Sequence, residues 1–436
     1  MFSQDITVPV ETTQSRSFFG WKNATLLFVI YLATTGVVYW GFSVIFPLMI
    51  EAMGWTRGQA SVAQGLNTLM WGIFSPATAL SVHRLGARRT MLIGLTVLLA
   101  GLFLMSAVIS RLWQWTVLWG FVVPLGLAFA GQLPIQTIVV HWFNLRRSAA
   151  LGLVLTGGPL GGFLAQPLFT ELMQRTDSWR IGWLAAGLFV VPALALCFFV
   201  RNDPRPLGQE ADGMGSDQAE QPLTGRRPRR RTYRTPDLWT LKAALSTRTL
   251  YLIMSAILAH SMPLSLIMTH GVLHFTDLGF SRMAAASILS FTALGSGAAR
   301  FPVGWLGDRI EPRWIFTAAL SLELMAFIGL WQAPGLAALL VLGPLFGLCF
   351  GACMVMTPTV LGNYYGPESF AGLSGFLAPF LVAFEALVPV GGGLIADRTG
   401  SYDLAFLLLG AVILAGVVSS VLMAPPKPRT STESTA

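Results

Sequence analysis

The chain has 436 residues, 54% of them hydrophobic and 11% charged, with a formal net charge of +8 and a mean hydropathy of +0.65. Soluble globular chains are nearer a quarter charged, so this composition excludes a soluble domain and implies a membrane protein. The positive balance requires no nucleic-acid partner, because it follows from where the basic residues fall along the chain.

The first 23 residues form a polar tail carrying Asp5 and Glu11. They lack the basic start, short apolar core and small-residue cleavage site of a signal peptide, so the first apolar run is expected to stay in the mature protein. About 20 apolar residues cross a hydrocarbon core of roughly 30 Å. Twelve such runs are read, over 24–48, 59–82, 90–110, 112–140, 149–171, 179–200, 249–275, 284–306, 313–331, 335–362, 368–396 and 402–424. Between the sixth and seventh, residues 201–247 turn polar and end in RRPRRRTYR. This stretch reads as a disordered cytoplasmic linker whose basic cluster faces lipid headgroups. The expected organisation is therefore a tail (1–23), a six-helix bundle (24–200), the linker (201–247), a second six-helix bundle (248–424) and a tail (425–436).

With both termini cytoplasmic, the inner segments hold 21 Lys and Arg and the outer segments six, the asymmetry that orients helical membrane proteins. Cys197, Cys349 and Cys353 all fall in apolar runs and read as small buried hydrophobes.

The halves echo each other. ALSVHRLGAR (79–88) follows the second run and GWLGDRIEPR (304–313) follows the eighth, as expected of a transporter built from internal repeats. These turns resemble the GxLxDRxGxR motif of the major facilitator superfamily. Gly304, Leu306, Asp308, Arg309 and Arg313 match in the second half, and Arg84, Gly86 and Arg88 in the first. The resemblance implies an all-α fold of twelve transmembrane helices in two pseudo-symmetric six-helix bundles, with gating loops at His83, Arg84, Arg88, Asp308, Arg309 and Arg313. His83 stands where the family has an acid, and Glu311 replaces the later glycine.

Four further stretches are similar to the branch holding the monocarboxylate transporters and oxalate/formate exchangers: FPLMIEAMGWTRGQAS (46–61), HWFNLRRSAALGLVLTGGPLGG (141–162), TDLGFS (276–281) and ADRTGSYDLAF (396–406). In carriers of this branch an arginine of the eighth helix, followed four residues later by glycine, binds the substrate carboxylate, and Arg300 with Gly304 fits that spacing. The physical reason is independent: guanidinium offers a fixed fork of donors that matches a carboxylate, and a buried arginine calls for a cavity and a partner. The alternative is snorkelling toward the interface, but Arg300 lies eight residues before Asp308, about 12 Å along a helix.

The aspartate and lysine of animal-type monocarboxylate carriers are replaced by Ser296 and Leu48, so coupling through that pair is not expected. Glu385 is the candidate proton carrier or charge partner of Arg300, while Glu323 reads as structural. His260, Tyr39, Trp40, Gln132 and Gln136 complete the candidate substrate-binding set, each with helix packing as its alternative. TGGPLGG (156–162) reads as a hinge or close-packing element.

Walker A, HExxH and GxSxG motifs are absent from the sequence, so no enzyme activity and no cofactor or metal is expected. The function read from this sequence is secondary transport of small mono- or dicarboxylates by alternating access, either proton-coupled or by exchange. The expected partners are the substrate, protons and the lipid bilayer, with the protein a monomer in a bacterial inner (plasma) membrane. An efflux carrier for amphiphilic compounds and a non-transporting receptor on the same fold remain the alternatives.

Overall fold

The computed structural model describes residues 18–143, 147–213, 232–307, 309–332 and 335–427. The regular elements of these residues are helical and include twelve long spans. Six precede the linker: α1 (Gly20–Met53), α2 (Arg57–Leu85), α3 (Ala87–Val108), α4 (Leu112–Trp142), α5 (Arg147–Thr176) and α6 (Arg180–Cys197). Six follow it: α7 (Arg248–Asp277), α8 (Arg282–Gly307), α9 (Pro312–Gln332), α10 (Leu336–Gly366), α11 (Leu373–Thr399) and α12 (Asp403–Leu422).

Ten of these are long and apolar enough to cross a membrane by composition alone; α2 and α8 fall outside that set. These two occupy matching positions in the halves and face across the molecule, α2 against α11 and α8 against α5. Their polar residues therefore meet protein and the space between the halves rather than lipid alone, which explains the weaker hydropathy.

Within each half, backbones touch. TGGPLGG of α5 packs against α1: a Cβ on Gly36 would stand 2.6 Å from the Cα of Gly161, and one on Gly157 2.6 Å from the carbonyl oxygen of Phe28. Small side chains let helices approach this closely. At the same contact α1 widens into a π-helical stretch, Leu32–Trp40. The α8/α10 seam uses the same device, since a Cβ on Gly347 would stand 1.9 Å from the Thr292 carbonyl oxygen. The corresponding α2/α4 seam is filled by tryptophan instead. Trp115 Nε1 donates to the Ala60 carbonyl (2.9 Å), and Trp119 Nε1 to Gln64 Oε1 (2.7 Å).

The apolar core is distributed unevenly between the two ends. One cluster runs through the first half and on into the second through Leu264–Leu273 of α7, Ala285–Ala293 of α8 and Phe406 of α12. These lie at the end of the bundle away from the linker, here called the far end. At the linker end the second half has its own core, including Trp239, Leu250, Phe316, Met356, Tyr364 and Met423.

The residues on either side of the linker are bonded. Asn23 Nδ2 donates to the Arg201 carbonyl (2.9 Å), and Asn202 Oδ1 accepts from the Arg88 amide (2.8 Å). Residues 232–247 cross the second half as a strap: the Tyr233 amide donates to Glu311 Oε2 (2.9 Å), the Thr235 amide to the Asn363 carbonyl (2.8 Å), and Ser369 Oγ to the Trp239 carbonyl. Residues 201–213 and 232–247 thus have more order than a wholly disordered 201–247 linker, because buried aromatics and backbone bonds hold them. RRPRRR, residues 1–17 of the N-terminal tail and residues 428–436 of the C-terminal tail lie outside the described residues.

Candidate functional site between the halves

Arg300 lies on α8 seven residues before its linker end, and its side chain crosses to the first half. Nη1 donates to the Leu155 carbonyl of α5 (3.0 Å), and the Tyr31 hydroxyl of α1 lies beside the guanidinium. Nε is buried without a partner among the described residues. Four ion pairs occur among the described residues, and none includes Arg300. Glu385 therefore does not serve as its charge partner in this arrangement; on α11 it faces Tyr39 of α1. A guanidinium held by a carbonyl and a phenol, with a donor to spare, is equipped to receive a carboxylate.

Tyr39 also meets Trp71 of α2 edge to face, with centroids 5.5 Å apart. Trp71, Ser75, Thr78, Ala128, Gln132, Leu133 and Gln136 line a cavity of about 220 Å³. One helical turn separates Gln132 from Gln136, so both amides reach the same space. Neither they nor Ser75 have a hydrogen-bond partner among the described residues. The cavity lies at the depth of Arg300: nine residues before the motif arginine stands Ser75 in the first half and Arg300 in the second.

Two candidates are placed elsewhere. Trp40 is buried at 4% exposure and packs on Gly162 of α5, because successive residues of a helix point to different sides. His260 faces α9 and α10, with Thr357 Oγ1 at 3.4 Å and the rings of Phe316 and Phe350 alongside. It is packed inside the second half, the helix-packing alternative to a substrate ligand. Glu323 is fully buried and accepts from the Cys353 thiol (3.8 Å), a structural position.

The gating turns bind their own halves. Arg313 Nη1 donates to the Met423 carbonyl after α12 (2.8 Å), as the Arg88 amide does to Asn202 after α6. Arg309 lies over the Trp305 ring at 3.5 Å. His83 and Arg84 are exposed in the last turn of α2, and Asp308 lies outside the described residues. Glu311, which departs from the family glycine, accepts from the Tyr364 hydroxyl (3.1 Å) as well as from the strap.

The branch-like motifs converge at the far end. Arg57 of WTRGQAS pairs with Asp277 of TDLGFS, one arm at 2.8 Å. Asp397 of ADRTG accepts from the amides of Arg57 (3.0 Å) and Gly58 (2.7 Å), so an acid of the second half caps a helix of the first. Glu51 pairs with Arg282. His270 lies within hydrogen-bonding distance of Ser61, the Pro389 carbonyl and Tyr402. Burial raises the Tyr402 phenol above its ordinary pKa, with Arg57 opposing the shift, so the phenol keeps its proton. The sequence reading had no role for this cluster; its signal was the spacing of charged residues at three span ends.

A family model described as Major Facilitator Superfamily matches residues 27–276 and 272–436, and the chain belongs to that superfamily. It is 25% identical to an MFS-type transporter of Gibberella moniliformis, over 80% of this chain and 78% of that protein. It is 30% identical to monocarboxylate transporter 13 of Bos taurus over 67% of this chain and 63% of that protein, and 26% identical to human monocarboxylate transporter 11 over 91% and 81%. The chain thus spans less than two thirds of the cattle protein's length. It is a multi-pass membrane protein similar to monocarboxylate transporters.

Proposed function

We propose that this superfamily member is a secondary carrier of small organic anions, with Arg300 as the carboxylate anchor. One observation carries the reading: a guanidinium inside the membrane region spans the two halves, pairs with no acid among the described residues and keeps Nε unbonded. A substrate carboxylate replacing the Leu155 carbonyl completes the fork, and Tyr31 supplies a further hydroxyl. The cavity bearing Gln132, Gln136 and Ser75 receives the rest of the substrate through neutral hydrogen bonds.

Because Arg300 reaches from one half to the other, its ligand has different contacts when the halves rock, which is the condition for a ligand to shift a conformational equilibrium. Glu385, beside Tyr39 where α11 meets α1, is the proton carrier if transport is proton-coupled. Both termini face the cytoplasm in this reading, which rests on the basic residues at the linker end. A bacterial inner membrane and a monomeric state belong to the same proposal, the former resting on the compact loops.

The test is uptake of labelled lactate, pyruvate, formate, oxalate and larger aromatic acids into proteoliposomes, with and without a pH gradient. Arg300→Ala is expected to remove saturable uptake while the protein still elutes as a single species. Arg300→Lys is expected to lose at least about tenfold, because an ammonium cannot reproduce the fork. Unchanged uptake in Arg300→Ala would overturn the anchor. Failure of every carboxylate to be taken up, together with uptake of amphiphilic cations, would move the protein to the efflux class.

A further inference from the structure

The strap continues beyond its anchor points. After Trp239, whose ring meets Tyr365 edge to face at 5.2 Å, it forms a short helix, Leu241–Leu245, and enters α7 at Arg248. Thr247 shares a hydrogen bond with the Tyr365 hydroxyl (2.6 Å), and Thr249 donates to the Ala424 carbonyl beyond α12 (2.8 Å). Between the short helix and the segment after α12 these contacts leave a groove of about 870 Å³.

Its lining is chemically one-sided. Lys242, Arg248 and Lys427 supply three cations, Thr240, Ser246 and Thr247 supply hydroxyls, and among the described residues no acid lines it. None of the three cations is in an ion pair among the described residues. Asp237 is on the strap but not in the groove.

Depth and apolar surroundings narrow the ligand. The groove sits where α7 begins and α12 has just ended, the level of the membrane surface for a multi-pass chain. Beside it, Leu238 is 81% exposed, Leu241 40% and Tyr251 54%. Exposed leucines and a tyrosine next to lysines are costly in water and favourable at a headgroup boundary.

We propose that this groove binds the headgroup of an anionic phospholipid. Lys242, Arg248 and Lys427 meet the phosphate, the hydroxyls meet the glycerol region, and Leu238, Leu241 and Tyr251 lie against the acyl chains. The bound lipid joins the strap to the ends of α7 and α12. It reads the lipid composition of the leaflet facing the linker, and it is independent of which solute is carried.

The experiment uses the full-length protein in phosphatidylcholine nanodiscs containing phosphatidylglycerol, with retained lipid counted by native mass spectrometry after release. Wild type is expected to keep phosphatidylglycerol in preference to phosphatidylcholine. Lys242→Gln combined with Lys427→Gln is expected to lower that retention by about tenfold, two surface cations being removed. Lys22→Gln combined with Arg205→Gln removes two cations from the linker end of the first half and is expected to leave retention intact. Equal loss in both double variants would reduce the effect to general surface charge and overturn the site. Complete displacement of the lipid from wild type by millimolar glycerol phosphate would assign the groove to a soluble anion and overturn it as well.

Discussion

The two ends of the bundle differ in what joins the halves. At the far end the halves share one apolar core and are bonded across by Arg57–Asp277, Glu51–Arg282, the Asp397 cap on α2 and the Ser61–His270 contact. At the linker end the second half has a separate core, and the gating turns bond to the segments after α6 and α12 of their own halves. Toward the linker end, among the described residues, the halves are bonded through Arg300, which meets Leu155 and Tyr31. A carrier whose halves are joined at one end and self-contained at the other is closed at the first, and opening it there requires the polar latch to separate.

The comparison is broken most severely inside a half, where backbones touch. Gly347→Val is expected to prevent assembly, because a Cβ 1.9 Å from a carbonyl oxygen forces α8 and α10 apart; loss of a monodisperse peak on size exclusion is the readout. The latch is next. Asp397→Ala removes the carboxylate that accepts from two backbone N–H donors at a helix start, worth about 1 to 2 kcal/mol. A Ser61→Cys reporter, buried at 0% exposure, is then expected to react with a membrane-impermeant thiol reagent about tenfold faster than in the latched protein.

Arg57→Gln should act in the same direction but more weakly, about two- to fivefold, since the Arg57–Asp277 pair is partly exposed and such pairs contribute about 0.2–1 kcal/mol. The smallest effect belongs to Glu311→Gln. It loosens the strap, read as faster proteolysis near Tyr233, and leaves the Ser61→Cys rate unchanged because its bonds stay within one half. A change at Ser61 comparable to that of Asp397→Ala would show that the ends are not mechanically distinct.

The spans were legible because a membrane-crossing helix needs about 20 mostly apolar residues whichever neighbours it meets, and all twelve stand within a few residues of their expected positions. Arg300 was legible because a charge in an apolar run is conspicuous. What it touches was not: Leu155 and Tyr31 belong to other helices, and periodicity carries no information on which helix lies opposite. The same limit separates Tyr39, which meets Trp71, from Trp40, which meets Gly162. His260 near the middle of α7 looked available to a ligand, but the side of the helix it occupies is fixed by tertiary packing. Trp71, Ser75 and Thr78 of α2 carried no sequence signal, being ordinary residues made relevant by facing Gln132 and Gln136.

The backbone contact between Gly36 and Gly161 has a mechanical consequence. Where two helices touch through side chains, rotamer changes provide compliance; where they touch through Cα atoms there is nothing soft left to deform. Helices α1 and α5 therefore transmit displacement as a single rod. Arg300, bonded to Leu155 of α5 and standing beside Tyr31 of α1, is attached to that rod rather than to a loop. In the proposed carrier, work done at the guanidinium would reach the whole first half through that rod.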